Sequence, residues 1–233
     1  MNLKFFKVVN RLNVSAVLAS AFTALSGSVQ AANTTFLTES GFVSAAGALS
    51  MESFEATAAR LRSTDALVTS LLTLTGGTTP IGVQSGVNSP EAAFGAVATD
   101  GVRFVSVYLP NQPQGTLVFD LAAPTTAFGL NITDVGETSG AINLRTDTGA
   151  YAGGINLATY PPGFGNGNVQ FFGLTQDLAF SRVFLTVTGV DDAYGLDKIY
   201  LSSVTAVPEP ATVLLMGLGF AALALKVRRK PMA

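Results

Sequence analysis

The strongest constraint on the fold is a two-residue alternation of apolar side chains in the middle and late parts of the chain. In the stretch GVRFVSVYL, Phe104 and Tyr108 share one side while Val105, Val107 and Leu109 share the other. Because successive side chains of a β-strand point to opposite faces, this period predicts half-buried strands. The same alternation recurs over residues 115–121, 127–133, 181–189 and 197–204.

Turn-forming residues separate these stretches, and they occur in the segments LPNQPQG, AAPTT, DVGETSG, YPPGFGNGN and GVDDAYG. Gly, Pro, Asn and Asp are the residues that most often end a strand and reverse the chain. No sustained helical pattern follows Thr75. The sequence therefore predicts an all-β domain over residues 32–206, built as an antiparallel β-sandwich or jelly roll.

The segment that precedes these strands is less regular. Between Met51 and Leu74 the sequence favours a strand around Ser53 to Ala56, followed by an irregular or short helical piece. The alternative is a helix near Ala56 to Arg62. Residues 33–50 are predicted to be partly loose.

The first 31 residues have the three parts of a secretory signal peptide. Lys4, Lys7 and Arg11 form a positive start, and the apolar stretch VSAVLASAFTAL follows. Small residues then precede a predicted cleavage after Ala31. The alternative is an N-terminal anchor or core helix, for which the apolar run is short. An export signal at the N-terminus predicts that the β-domain acts outside the cytoplasm.

The C-terminal segment, residues 207–233, contains an uncharged apolar run from Ala211 to Leu225. As a helix this run is about 22 Å long. A bilayer core is about 30 Å thick, so the run spans it only with snorkelling or local thinning. The basic residues that follow fit a cytoplasmic end, and they are Lys226, Arg228, Arg229 and Lys230. The sequence predicts a transmembrane helix, and the alternative is a buried terminal helix.

The sequence VPEP, a short hydrophobic helix and a basic end, in that order, closely resembles the PEP-CTERM sorting signal of exported Gram-negative bacterial proteins. In that family an exosortase, a membrane cysteine protease, cuts near the Pro-Glu-Pro. The resemblance implies that Pro208, Glu209 and Pro210 are recognised by an exosortase and that the helix is a transient inner-membrane anchor. It also implies a final location at the cell surface or outside the cell.

A second resemblance covers the domain itself. The segments FDLAAPTTAFGLNITDVG and FFGLTQDLAFSRVFLTVTGVDDAYGLDKIYL are similar to β-sandwich domains found in PEP-CTERM proteins. Tyr194 stands where those domains usually have Phe, and Lys198 where they usually have Asn. Such domains resemble carbohydrate-binding jelly rolls, so the resemblance implies polysaccharide as a ligand class.

Charge and composition exclude several functions. Residues 32–206 contain six basic and fourteen acidic side chains, so nucleic acid is not an expected partner. The chain has no cysteine and no histidine. It therefore has no Ser-His-Asp or Cys-His catalytic arrangement, no disulfide and no typical zinc site.

Acidic residues beside the predicted strands suggest calcium, which prefers carboxylate and carbonyl oxygens. By likeness to jelly rolls, which bind a structural Ca²⁺ where the first and last strands meet, Glu55 (or Glu52), Asp100 and Asp197 are expected to share one ion. The alternative is that these acids cap turns and keep the surface soluble. A structural calcium ion is therefore the one cofactor that the sequence suggests.

Tyrosines near the Gly/Pro-rich loops are candidate sugar platforms, because one ring face is apolar and the hydroxyl reaches polar groups. Tyr151 and Tyr160 are the two candidates, with packing in the domain as the alternative. Lys198 is predicted to face solvent from its strand. No acid pair is marked out by the sequence as the two carboxylates of a glycan hydrolase.

The combined interpretation is an exported, non-catalytic surface or extracellular-matrix protein with a structural or adhesive role. The alternative is a calcium-assisted polysaccharide-binding module. A glycan hydrolase is the least favoured hypothesis.

Overall fold

A computed structural model describes residues 33–85, 95–109, 114–135, 138–162, 166–188 and 192–202. The predicted signal peptide, with its cleavage after Ala31, and the segment 203–233 lie outside the described residues. Within them the chain forms twelve strands and one α-helix, and every strand pair is antiparallel. The predicted all-β antiparallel architecture is confirmed.

The elements follow one another in chain order as β1 (Thr34–Phe36), α1 (Glu39–Ala46), β2 (Leu49–Glu52), β3 (Arg60–Ser63), β4 (Leu67–Val68), β5 (Leu72–Thr75), β6 (Ile81–Ser85), β7 (Arg103–Leu109), β8 (Gln114–Thr133), β9 (Thr138–Thr146), a 3-10 turn (Gly149–Tyr151), β10 (Ile155–Pro162), β11 (Val169–Thr188) and β12 (Asp192–Ser202).

The long strands β8 and β11 pair along their length and carry two half-sheets. The N-terminal half of β8 and the C-terminal half of β11 lie in the first half-sheet, in the order β10, β9, β11, β8, β5 and β4. Their other halves lie in the second, in the order β1, β11, β8, β12, β7, β6 and β3, with β2 also paired to β12.

The two half-sheets share one hydrophobic core. Leu117 and Phe119 face inward from the first half-sheet, and Leu130 and Ile132 face inward from the second. The Phe119 and Phe128 rings contact edge to face, with centroids 5.3 Å apart. Each such fully buried side chain stabilises the fold by about 1.5–3 kcal/mol relative to exposure. The shared core makes the domain a β-sandwich.

The segment AAPTT does not reverse the chain as predicted, because it lies inside β8. Opposite it the pairing with β11 is interrupted between Thr175 and Phe180. Pro124 has no N–H to donate, and the ribbon bends here instead of ending. The hydroxyl of Thr125 then donates to the Ser202 carbonyl at 2.9 Å and ties the bend to β12.

Helix α1 lies in the segment predicted to be loose, so that prediction is wrong. Phe42 is fully buried, with its ring centroid 5.6 Å from Phe171 and 6.2 Å from Tyr200. The sheet accommodates it at Gly129 and Gly173, where an added Cβ would lie 2.9 and 2.6 Å from the Phe42 ring. An eight-residue helix with one fully buried residue has too weak a pattern to be found from sequence.

The irregular segment after Met51 also differs in detail from its prediction. The strand precedes the predicted position, as β2, and a turn follows at Phe54, which has a φ of 61°. Residues Arg60–Ser63 form β3, so the alternative helix near Ala56 to Arg62 is wrong. The strand predicted around Ser53 to Ala56 is wrong, because these residues lie in the turn after β2, and the region predicted to be irregular contains β3, β4 and β5.

Candidate functional site

The three acids predicted to share calcium lie around one loop, residues 97–103, which leads into β7. Asp197, buried on β12, accepts hydrogen bonds at Oδ2 from the backbone N–H groups of Thr99 at 2.7 Å and Asp100 at 2.8 Å. Its Oδ1 accepts from the Lys198 N–H at 2.7 Å. Burial raises the pKa of Asp197 above its usual 3.8, and these hydrogen bonds offset only part of that rise.

Glu55 holds the other side of the same loop. Its Oε1 accepts from the backbone N–H groups of Val102 at 2.8 Å and Arg103 at 2.6 Å. Gly101 has a φ of 60°, and an added Cβ there would lie 2.5 Å from the Glu55 carboxyl carbon. Glu52, the alternative ligand, accepts instead from the Phe54 N–H at 2.8 Å. The carboxylates of Glu55 and Asp197 therefore bind backbone donors of the loop, and that of Glu52 does not.

In the described part of the chain, no group of three or more acidic side chains is placed to hold a metal ion. Calcium binding at Glu55, Asp100 and Asp197 stays a prediction of the sequence, whereas the hydrogen bonds of Glu55 and Asp197 to the loop predict that a chelator has no effect. The geometry shows a second role for Glu55 and Asp197, since each fixes the loop directly.

The two candidate sugar tyrosines have different positions. Tyr151 ends the 3-10 turn and is only 7% exposed within the main hydrophobic core, and burial raises its pKa. Its ring therefore packs inside the domain and does not present a face to a sugar, which corrects the expectation for this residue. Tyr160 lies on β10 with its backbone opposite Gly140, and its side chain is outside the described part of the structure.

Lys198 is not a solvent-facing lysine. It has a φ of 49° at a break in register between Asp197 and Tyr200, and its side chain is 20% exposed. Its Nζ donates to Glu39 of α1 at 3.0 Å, and the Tyr200 hydroxyl donates to the same oxygen. The irregular backbone turns this lysine from the strand surface to the helix.

The outer face of the first half-sheet has a groove that the sequence analysis did not find. Four polar side chains lie side by side across it, because they are successive register partners on β8, β11, β9 and β10: Thr116, Thr186, Asn143 and Asn156. With strands about 4.8 Å apart, this polar row is about 14 Å long. The Thr116 and Thr186 hydroxyls are hydrogen bonded at 2.9 Å.

An arginine stacked on an aromatic ring borders the polar row. Phe184 is half-buried on β11 and pairs in register with Arg145 on β9. The Arg145 guanidinium lies over the Phe184 ring, 3.8 Å from its centroid, and is exposed. Together with the polar row these residues line a groove of about 420 Å³, a volume typical of small-ligand sites.

The groove continues past Arg145 into a second depression with two acids. Asp120 forms an ion pair with Arg182, its register partner on β11. Asp147 accepts from the Ser181 backbone N–H at 3.0 Å. Both carboxylates therefore have structural partners, and the surface as a whole offers hydroxyls, amides and one stacked guanidinium.

Residues 206–230 match the family model of the PEP-CTERM protein-sorting motif. The chain carries a PEP-CTERM sorting signal. The match contains Pro208, Glu209 and Pro210 and the apolar run Ala211 to Leu225. A PEP-CTERM motif implies an exported protein that an exosortase processes. The segment lies outside the described residues, and among the described ones no helix is long and apolar enough to cross a membrane.

Solved structures resemble this chain at low identity. The K2 cleaved adhesin domain of Lys-gingipain is 13% identical, with 67% of this chain and 100% of that chain covered and a TM-score of 0.43. TmCBM61 in complex with beta-1,4-galactotriose is 14% identical, covers 65% and 94%, and has a TM-score of 0.36. The catalytic domain of a GH87 alpha-1,3-glucanase in complex with nigerose is 17% identical, covers 71% and 31%, and has a TM-score of 0.34. A comparison with curated proteins gives no match.

Proposed function

We propose that this chain is an exported, non-catalytic β-sandwich protein that adheres to extracellular polysaccharide through the groove on its first half-sheet. The observation that carries the proposal is the polar row of Thr116, Thr186, Asn143 and Asn156 beside the stacked Arg145. Hydroxyl and amide groups form the hydrogen bonds that sugar hydroxyls need. A row of about 14 Å is long enough for more than one sugar ring.

The route of delivery follows from the two ends of the chain. A signal peptide cleaved after Ala31 would start export, and the helix from Ala211 to Leu225 would hold the protein briefly at the inner membrane. An exosortase would then cut near Pro208 to Pro210 and release the β-domain to the surface or matrix. The sorting motif at residues 206–230 supports this route.

A binding role without catalysis is favoured by the partners of the groove acids. Glycan hydrolysis requires two carboxyl groups that flank the scissile bond. Asp120 is paired with Arg182, and Asp147 is held by the Ser181 N–H. A purely structural role in the matrix, with the groove empty, is the second candidate.

The test is to produce the full chain in a host with an exosortase and to purify the released protein. Mass spectrometry is expected to find a new C-terminus near the Pro-Glu-Pro. The released protein is then incubated with insoluble extracellular polysaccharide, and the bound fraction is measured. We expect Asn143→Ala to reduce this fraction, and Thr35→Ala, an exposed change on β1, to leave it unchanged.

Two results would contradict the proposal. An intact C-terminus in the secreted protein would remove the sorting route. Equal retention of the Asn143→Ala variant, or no retention of the unaltered protein, would leave the structural role in place of adhesion.

A further inference from the structure

Arg145 gives the groove a positive charge on an otherwise acidic domain. We propose that the groove selects an acidic polysaccharide and that Arg145 binds the carboxylate of a hexuronate unit. This inference rests on the proposed adhesive function and adds the chemical class of its ligand. The inference is supported by a comparison of Arg145 with the other basic residues of the domain and their partners.

The other basic side chains between residues 32 and 206 have partners within the domain. Arg182 pairs with Asp120, Lys198 with Glu39, Arg103 donates to the Glu55 and Thr57 carbonyls, Arg60 donates to the Asp65 and Ala66 carbonyls, and Arg62 lies over the Tyr108 ring. Arg145 also lies over a ring, that of Phe184, but beyond this stacking it makes no ion pair and donates no hydrogen bond within the described part of the chain. Its charge is therefore available to a ligand.

Arg145 is also placed to act as a carboxylate fork. Stacking on Phe184 at 3.8 Å holds the guanidinium plane against the ring, so fewer rotamers are lost when a ligand binds. A guanidinium presents paired N–H donors that match the two oxygens of a carboxylate. An arginine pre-positioned in this way selects for a planar anion.

The distance between Arg145 and Asn143 fits one sugar residue. Arg145 and Asn143 are two positions apart on β9 and lie on the same face, so their Cα atoms are about 7 Å apart. A hexuronate can place its carboxylate on Arg145 while its ring hydroxyls reach the Asn143 amide and the Thr186 hydroxyl. Arg145 is the only charged side chain among the described residues that line this part of the groove.

The acids nearby restrict where an anionic chain can lie. Asp147 and Asp120 line the adjoining depression, and the domain has eight more acidic than basic residues between 32 and 206. Repulsion from these carboxylates opposes an acidic polymer over the depression, whereas the polar row carries no acidic side chain. Arg145 borders both the polar row and this depression, so the carboxylate is expected at the guanidinium and the rest of the sugar chain on the Asn143 side, away from Asp147 and Asp120.

The experiment measures binding of the full chain to an oligouronate by calorimetry, beside the same oligosaccharide with its carboxyl groups reduced to alcohols. We expect the reduced ligand to bind at least about tenfold more weakly, since a charge-assisted bidentate contact is lost. Arg145→Gln should weaken binding of the acidic ligand by a similar factor and weaken binding of the reduced ligand much less. Arg145→Lys keeps the charge but loses the paired N–H donors, so its affinity for the acidic ligand should lie between those of the unaltered protein and Arg145→Gln.

Arg62→Gln is the matched control, because Arg62 also stacks on a ring, that of Tyr108 at 4.5 Å, but lies outside the groove. It should bind the acidic ligand as the unaltered protein does, and thermal melting checks that each variant is folded. Equal affinity for the acidic and reduced ligands would overturn the uronate assignment and leave polysaccharide binding standing. No binding of either ligand would overturn the proposed function as well.

Discussion

Lys198 donates from its Nζ to Glu39 Oε1 at 3.0 Å, which joins the last strand of the domain to the helix near its start. Tyr200 donates its hydroxyl to the same carboxylate oxygen. The residues are far apart in sequence, so the contact closes the domain from end to end. Burial raises the pKa of Glu39, but the hydrogen bonds from Tyr200 and Lys198 and the Lys198 charge lower it more, to below its usual 4.5.

This contact predicts a pH-dependent contribution to stability. A carboxyl whose pKa is lowered by folding stabilises the fold above its unfolded pKa, and that contribution is lost as the pH falls through the lowered value. The effect is modest, below about 1 kcal/mol, because the pair is partly exposed. We therefore expect Glu39→Gln to lower the melting temperature slightly near neutral pH and not at acidic pH. Melting curves at both pH values check this, and an equal loss at both would show that Glu39 acts without its charge.

The loop carboxylate Asp197 has a larger expected effect. Asp197→Ala leaves the N–H groups of Thr99, Asp100 and Lys198 without their acceptor. We expect a loss of about 2 kcal/mol or more in the free energy of unfolding, measured with urea. Asp177→Ala is the control, since Asp177 is exposed and caps only Leu178. A loss for Asp197→Ala no larger than that of the control would mean that the loop is held by other contacts.

Calcium removal tests whether Glu55 and Asp197 bind a metal ion or only fix the loop. Oxygens of Glu55 and Asp197 already face backbone N–H donors, whose partial positive charge occupies positions that a cation would need. We expect the full chain to melt at the same temperature with excess calcium and with a chelator. A drop of several degrees on chelation would instead establish the calcium site that the sequence predicts.

The packing of α1 gives a test by double substitution. Gly173→Ala places a Cβ 2.6 Å from the Phe42 ring and should destabilise the domain by crowding. Phe42→Ala should lower the free energy of unfolding by about 3–5 kcal/mol, because it leaves a cavity where the ring is packed. Because the smaller residue at 42 relieves the crowding, the double variant should be more stable than the sum of the single losses predicts. Strict additivity in urea unfolding would show that the two residues do not share this contact.

The strands could be predicted from the sequence where one face is apolar and the other is mostly polar or small, as in both ends of β8. The bend inside β8 could not, because Pro124 suits a turn equally well and only the partner strand keeps the ribbon paired. The groove could not be predicted either. Thr116, Asn143 and Thr186 are unremarkable in their own segments, and only the register of three strands places them side by side.

Tyr151 provides the last test, because burial and sugar binding predict different results for the same substitution. The ring is 7% exposed among core residues, so Tyr151→Ala should lower the free energy of unfolding by about 3 kcal/mol or more. While the variant is folded, its affinity for polysaccharide should match that of the unaltered protein, since Tyr151 does not line the groove beside Arg145. Urea unfolding and calorimetry on the same samples give both quantities. Unchanged stability with lost binding would reverse the assignment and restore Tyr151 as a sugar platform.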